Sequence, residues 1–440
     1  MPLGFVDVME LMVEPRRARV HEAGWQSWSP EGTYRVDTTS PRPRRAVWQT
    51  MAFRPGRPGP ASGFQGEGLL AIDPGDGSPV RLVQGAALPA DVPSIRAELV
   101  GSGRLRVSAD GPVRVVEVAG SLAASLAAWA TDTALGAEVS APARIPPVWC
   151  SWYCYWRDVT SEHLLTNEAD AHRLGIDVDV IQIDDGWQAA IGDWDLTDPR
   201  FGDLGRTVGE LRSRGRSVGI WLAPFLAVPD SRLALEHPDW LLPDTDAGFN
   251  WGAPLRVVDL THPGAREHLH DCLRRLALLG VSYFKLDFLY AGAMEGRRHR
   301  DVATIDAYRD GLRLLRDGAG PGATVVGCGA PLLPSLGLVD AMRVSPDIMP
   351  TWEPPDGDVS QPGGRSAVLA GSARTHLDGR FWVNDPDCLL ARPGVERREV
   401  WADHLRSVGG LASSSDPLAS LDEWGLSVTR ELLQRRAADG

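Results

Sequence analysis

Between residues 147 and 415 short apolar runs alternate with helical stretches eight times, and few folds accept that pattern. The runs are "PVWCSWY" (147–153), "DVIQIDD" (179–185), "SVGIWLAP" (217–224), "SYFKLDF" (282–288), "TVVGCG" (324–329), "AMRVSPD" (341–347), "RFWVNDPD" (380–387) and "SVGGLASSS" (407–415). Intervening pieces such as "GAREHLHDCLRRLALLG" carry an apolar stripe at helical spacing. Eight strand–helix units over roughly 270 residues match a (β/α)8 TIM barrel, whose usual size is about 250 residues. A doubly wound sheet would not need eight such strands, and no glycine-rich phosphate loop follows any of them.

The chain before the barrel reads differently. Residues 1–120 are short alternating stretches broken by Gly and Pro, such as "RLRVSADGPVRVVEV", the pattern of a small antiparallel β-sandwich domain. The alanine-rich "SLAASLAAWATDTALGA" predicts a connector helix and "APARIPP" a linker, so that 121–146 joins the sandwich to a barrel over 147–425. Residues 426–440 are expected to form a C-terminal tail.

Composition narrows the partners. A net charge of −13 argues against nucleic acid or an anionic membrane surface, both of which demand a basic face. The opening "MPLGFVDVMELMVEP" is acidic where a secretory signal is basic, and no apolar run reaches the roughly 18 residues of a membrane span. Five scattered cysteines without CxxC spacing fit reduced thiols, so a cytoplasmic location is expected, with no zinc site. Sixteen tryptophans serve equally well as core and as flat platforms for the apolar face of a sugar ring.

The predicted strands end in polar or aromatic residues on the side where barrel enzymes place their sites. The first carries Trp152 and Tyr153, the second Asp184 and Asp185, the third Trp221 and the fifth Cys328. On the fourth, Lys285 and Asp287 share a face; on the sixth, alternation puts Arg343, Ser345 and Asp347 on one side. Lys285 is the chain's single lysine among 45 Lys+Arg. So much charge at one barrel mouth is costly to desolvate unless a polar ligand or catalysis requires it. Two carboxylates on different strands, among tryptophans and without metal-ligand spacing, suggest glycoside hydrolysis. One would attack the anomeric carbon while the other, kept protonated, serves the leaving oxygen; Asp184 and Asp185 suit neighbouring ring hydroxyls.

With these residues assembled, the sequence resembles glycoside hydrolase family 36, the α-galactosidases. The resemblance runs from "GWQSWSPEG" (24–32) through "SWYCYW", "IQIDDGWQ", "GIWLAPF", "YFKLDFLY", "GCGAPLLPSLGLVDAMRVSPD" and "NDPDCLLAR". It implies Asp287 as nucleophile and Asp347 as acid/base. It implies Asp184 and Asp185 at galactose O4 and O6, and Lys285, Cys328 and Arg343 at the other hydroxyls. Trp221 and Trp152 match aromatic positions around the sugar, and Trp25 or Trp28 of the N-terminal domain would close the pocket. The β region is shorter than in many members and no further β domain follows the barrel, which leaves the aglycone side and the subunit number unassigned.

The expected activity is a retaining exo-α-galactosidase acting on a small carbohydrate, without metal or organic cofactor. Rivals with the same machinery are an α-N-acetylgalactosaminidase, an α-arabinopyranosidase and a transglycosylase. A rival of another class is a catalytically silent sugar-binding protein.

Overall fold

The computed structural model describes residues 4–43, 46–101, 103–140 and 142–438. Residues 1–3 of the expected sandwich and 439–440 of the expected tail lie outside the described residues.

Two antiparallel sheets form the N-terminal part. One runs in the order Val6–Met12, Arg104–Ala109, Ser94–Leu99, Phe64–Glu67; the other in the order Gly32–Arg35, Arg19–Glu22, Leu69–Asp73, Val80–Gly85, Val113–Val118. The strand Leu69–Asp73 explains how this sandwich is attached to the rest. Leu70 and Ile72 join the core between the sheets with Val20, Val83 and Ile95. Leu69 and Ala71, on the opposite face, join the core that continues into the barrel. Four consecutive apolar residues, Leu69 to Ile72, here mark a strand buried on both faces.

The connector is a packed element. Its helix, Leu122–Gly136, starts at Ser121, whose Oγ accepts from Ala124 N at 3.2 Å. Trp129 donates to Gln84 Oε1 of the sandwich at 3.1 Å and meets Phe381 of the barrel edge-on at 5.7 Å. Arg374 makes a second junction. Fully buried, it donates to Glu31 Oε2 (2.9 Å) and to the backbone oxygens of Ser27 (2.6 Å), Ser29 (2.9 Å) and Val344 (2.9 Å). The sandwich loop that carries Trp28 is thereby fixed to the barrel.

The eight barrel strands are Val148–Cys150, Val180–Ile183, Ser217–Leu222, Val281–Leu286, Thr324–Gly327, Ala341–Arg343, Val383–Asp385 and Ser413–Ser414, all paired in parallel. The last pairs with the first (Val148 with Ser413). A Leu389–Ser414 bridge and a 2.7 Å bond from Leu411 N to Asn384 O bring it to the seventh. Inside, an apolar layer of Val148, Val180, Tyr283, Val326 and Ala341 fills one end. Gly219 of the third strand belongs to the same layer, because a Cβ there would lie 2.8 Å from the Tyr283 ring. Two residues further along the strands, the same alternation gives Cys150, Gln182, Trp221, Lys285, Cys328, Arg343 and Asp385. The barrel thus changes from apolar plug to polar mouth within one step of the pleat.

Two expectations fail at the edges of elements. The first strand ends at Cys150, and Trp152 and Tyr153 lie on a short helix, Trp152–Tyr155, because Ser151 already leaves the ladder. The expected tail is the end of a helix, Glu423–Ala438, in which Val428 and Leu433 are buried against the barrel-side core. Its apolar positions recur at helical spacing, and burying them stabilises the helix more than solvation of a free tail would.

Candidate active site

The mouth holds six carboxylates and two buried cations, with the half-exposed Arg157 at 3.9 Å from Asp185 Oδ2, and their pairing sorts them into three groups. The first is around Asp184. Its Oδ2 accepts from Lys285 Nζ at 2.9 Å and Gln182 Nε2 at 2.6 Å, with Cys150 Sγ at 3.4 Å. The nearest partner of the lone lysine is therefore Asp184 on the second strand rather than Asp287 two residues along its own. Burial disfavours a charged Lys285, but Asp184 first and the neighbouring thiols after it together outweigh burial and hold the ammonium above its usual range. Asp185 turns the other way. It accepts from Gln188 Nε2 at 2.6 Å and from Trp251 Nε1 at 2.7 Å.

The second group is Asp287. It follows the last residue of the fourth strand, and both of its oxygens are engaged: Oδ1 by Phe288 N at 2.7 Å, Oδ2 by Trp221 Nε1 at 2.9 Å. This is the acceptor-only pattern of a carboxylate. Phe288 takes the left-handed conformation (φ 51°), a strained choice for an aromatic residue, which turns its N–H back onto Asp287. Trp221 is in turn held through its carbonyl oxygen, which accepts from Trp187 Nε1 at 2.9 Å.

The third group surrounds Arg343. Its Nη1 reaches Asp347 Oδ1 (3.0 Å), Nε reaches Asp385 Oδ2 (3.2 Å) and Nη2 reaches Asp387 Oδ1 (2.9 Å). One guanidinium thus faces three carboxylates. Asp387 takes two further donors, Tyr153 Oη at 2.5 Å and Ile348 N at 2.9 Å. Asp347 is the member that opens to the pocket, with 32% of its side chain exposed. Its surroundings push its carboxyl up to about 7: burial raises it most, Arg343 opposes this, and the negative charge of Asp387 adds to it. At neutral pH Asp347 is a carboxylic acid about as often as a carboxylate.

A cavity of about 470 Å³ opens beside Asp347, walled by Trp28, Met51, Phe249, Asn250 and Phe288. Of the two N-terminal tryptophans, Trp28 lines it and meets Phe288 edge-on at 5.0 Å, while Trp25 is buried under Arg54 (4.8 Å) in the sandwich–barrel core. Trp152 is half-buried and packs on Trp156 at 4.8 Å. Tyr153 is buried and reaches the site through Asp387. Cys328 is buried close to Asp287, Arg343 and Lys285, and burial pushes its thiol well up. Trp251, Asp385 and Asp387 belong to the mouth and stand outside the residues expected there. Of these, only Asp385 and Asp387 had a signal, the "NDPD" turn.

Among the described residues, the one group of three His, Cys, Asp or Glu side chains arranged to hold a metal ion is His21, Glu31 and His376. It borders another cavity than the one beside Asp347.

The Melibiase family model matches residues 139–305, which include Asp184, Asp185, Lys285 and Asp287 but stop short of Arg343 and Asp347. An α-galactosidase of Escherichia coli is 31% identical over 181 residues, which is 38% of this chain and 25% of that protein. The α-galactosidase AgaA of Geobacillus stearothermophilus is 25% identical over 171 residues, 35% of this chain and 23% of that protein. The chain's alignments thus span about a quarter of these curated relatives. In structure the match is broader. An α-galactosidase from Thermus thermophilus, solved in complex with p-nitrophenyl α-D-galactopyranoside, superposes with a TM-score of 0.81 at 28% identity, covering 98% of this chain and 89% of that one. The same enzyme in complex with stachyose gives a TM-score of 0.79 at 28% identity, over 98% and 95% of the two chains. By sequence over residues 139–305 and by structure along nearly its whole length, the chain is similar to known α-galactosidases.

Proposed function

We propose that the protein is a retaining exo-α-galactosidase that removes terminal α-D-galactosyl residues from small glycosides. The observation that carries this reading is the unlike pair of carboxyls at the mouth. Asp287 is held as an acceptor by two N–H groups, and Asp347 across Arg343 keeps its proton to about pH 7. One carboxyl held by two donors and a second pushed toward its protonated form are what a double displacement needs.

In this mechanism Asp287 attacks the anomeric carbon while Asp347 donates its proton to the leaving oxygen. The product is a covalent β-galactosyl ester on Asp287. Asp347, now a carboxylate, removes a proton from water that attacks the same carbon, so the released galactose keeps the α configuration. Trp221 and Phe288 N hold Asp287 in place for both steps. Lys285 with Asp184, and Asp185 with Trp251, offer donors and acceptors to the ring hydroxyls from opposite sides. The cavity beside Asp347 has the volume of a small-molecule pocket, which supports removal of one terminal sugar at a time. The five thiols, none paired in a disulfide, support a reducing, cytoplasmic setting for that activity.

The test is turnover of p-nitrophenyl α-D-galactopyranoside, with the first-formed anomer followed by NMR. Release of α-galactose before mutarotation is expected. No turnover would leave a sugar binder, and β-galactose first would make the enzyme inverting.

Two further outcomes follow from the geometry. On a substrate with a poor leaving group, kcat/KM is expected to fall as pH rises through about 7, because the proton Asp347 must donate is lost there. A profile flat into the alkaline range would remove Asp347 from the acid role. Trp251→Phe keeps the ring and removes the donor at 2.7 Å from Asp185. Asp185 is then freer to turn from the sugar, and KM is expected to rise about tenfold, on the order of one charged hydrogen bond, with kcat little changed.

A further inference from the structure

We propose that His21, Glu31 and His376 form a transition-metal site, of the chemistry that takes zinc, at the junction of sandwich and barrel. This does not rest on the glycosidase reading. The three side chains come from three places that folding brings together. His21 lies on the strand Arg19–Glu22, Glu31 immediately precedes the strand Gly32–Arg35, and His376 lies on the turn Thr375–Leu377 after Arg374. All three are buried, and one ligand atom of each lies within 4.8 Å of the other two.

The second observation is the state of the ring nitrogens. Antiparallel pairing sets His21 opposite Thr33, and its Nδ1 lies 3.0 Å from Thr33 Oγ1. His376 Nδ1 lies 3.0 Å from the backbone oxygen of Ala373. The carbonyl of Ala373 can only accept, so His376 donates from Nδ1 and carries its lone pair on Nε2, the arrangement by which proteins orient metal-binding imidazoles; the Thr33 hydroxyl is able to take the same acceptor role for His21. His21 Nε2 is buried 3.3 Å from Glu31 Oε1 in a contact too poorly aligned for a good hydrogen bond, so the pair is only partly satisfied and would gain from a cation between them.

The carboxylate is ready as well. Glu31 Oε2 is taken by Arg374 Nε (2.9 Å) and Gly24 N (3.0 Å), which leaves Oε1 facing His21. Two imidazoles and one carboxylate suit zinc or its neighbours in the transition series, whereas magnesium and calcium require oxygen ligands. A cavity of about 750 Å³ borders all three residues and gives a fourth ligand, water, room to bind. Ligands of a tetrahedral zinc lie roughly 3.3 Å apart, so the group must close slightly on binding. The guanidinium beside Glu31 opposes a second cation, which sets the expected affinity near micromolar rather than at the level of structural zinc.

The full-length protein, stripped with a chelator, would be titrated with Zn²⁺ by calorimetry and with Co²⁺ by visible absorption. One Zn²⁺ per chain is expected, with a four-coordinate Co²⁺ spectrum, no response to Mg²⁺, and a higher Tm with Zn²⁺ present. His376→Asn is expected to weaken Zn²⁺ at least about 100-fold, and Thr33→Val about 10- to 100-fold through the loosened His21 ring. Asp287→Ala should bind Zn²⁺ as the parent does, which separates this site from the barrel mouth. The His376 substitution, on a turn, serves where a change at His21 disturbs the sandwich. No saturable Zn²⁺ binding, or affinity unchanged in both variants, would overturn the proposal and leave the cluster as an ion-paired junction.

Discussion

Asp287→Ala is expected to lower kcat on an aryl α-galactoside by on the order of 10⁴-fold, about 5.5 kcal/mol of barrel-mouth catalysis. Added azide is expected to restore part of the rate as β-galactosyl azide. The substitution removes the attacking carboxylate, while Trp221 Nε1 and Phe288 N, the two donors that held it, remain. They then line a small hole suited to an anion. Azide entering it attacks the same face that Asp287 attacked, and Asp347 still protonates the leaving group, so the product has inverted configuration. Identification of the azide anomer by NMR is the decisive measurement. An α-azide would place the nucleophile elsewhere, with Asp347 the first candidate, and full activity without azide would remove Asp287 from the chemistry. A loss of Tm large enough to explain the loss of rate would be met with Asp287→Asn, which keeps the volume and the shape of the side chain.

The barrel was legible because parallel strands buried on both faces read as continuous apolar runs, and eight such runs with amphipathic stretches between them admit few closures. Where a strand stops was not legible. Polar residues leave the ladder as soon as hydrogen bonds to turns become available, so Trp152 and Tyr153 moved onto a helix although they continue an apolar run. The final helix was missed for a related reason: its apolar residues are sparse, and only contact with the barrel gives them a core to fill.

At the site, alternation put Lys285 with Asp287 and Arg343 with Asp347, a rule local to each strand, and the structure places all four at one mouth. Partner choice is not local. Trp251 reaches Asp185 from an excursion after the third strand, where no periodicity announces it. Asp385 and Asp387 flank Pro386 in a turn, and only the fold shows that both face Arg343. Trp25 and Trp28 lie on one loop, where neither period applies, so which of them faces the pocket depended on how Arg374 anchors that loop.

The lone lysine gives the sharpest test of what this mouth requires. Lys285 is buried, and its ammonium sits 2.9 Å from Asp184 Oδ2 with Cys328 and Arg343 nearby. Arginine would keep the charge and could pair with Asp184 through its fork. It is also longer, broader and planar, and the strand aims it into the space between Asp184 and Asp287 where a sugar would stand. Gln182 and Cys150 already crowd the other side of Asp184, so the larger head has no room to turn back. Lys285→Arg is therefore expected to fold but to lose at least about 100-fold in kcat/KM, roughly 3 kcal/mol of transition-state stabilisation. The measurement is kcat/KM on an aryl α-galactoside, with Tm as the folding control and Lys285→Met as a second variant. The methionine keeps the length of the stem and removes the charge, leaving Asp184 buried without its cation. A merely structural ion pair predicts the opposite ranking, with arginine near the parent and methionine strongly destabilised. Near-parent activity in Lys285→Arg would mean that the mouth needs a cation there and not an ammonium.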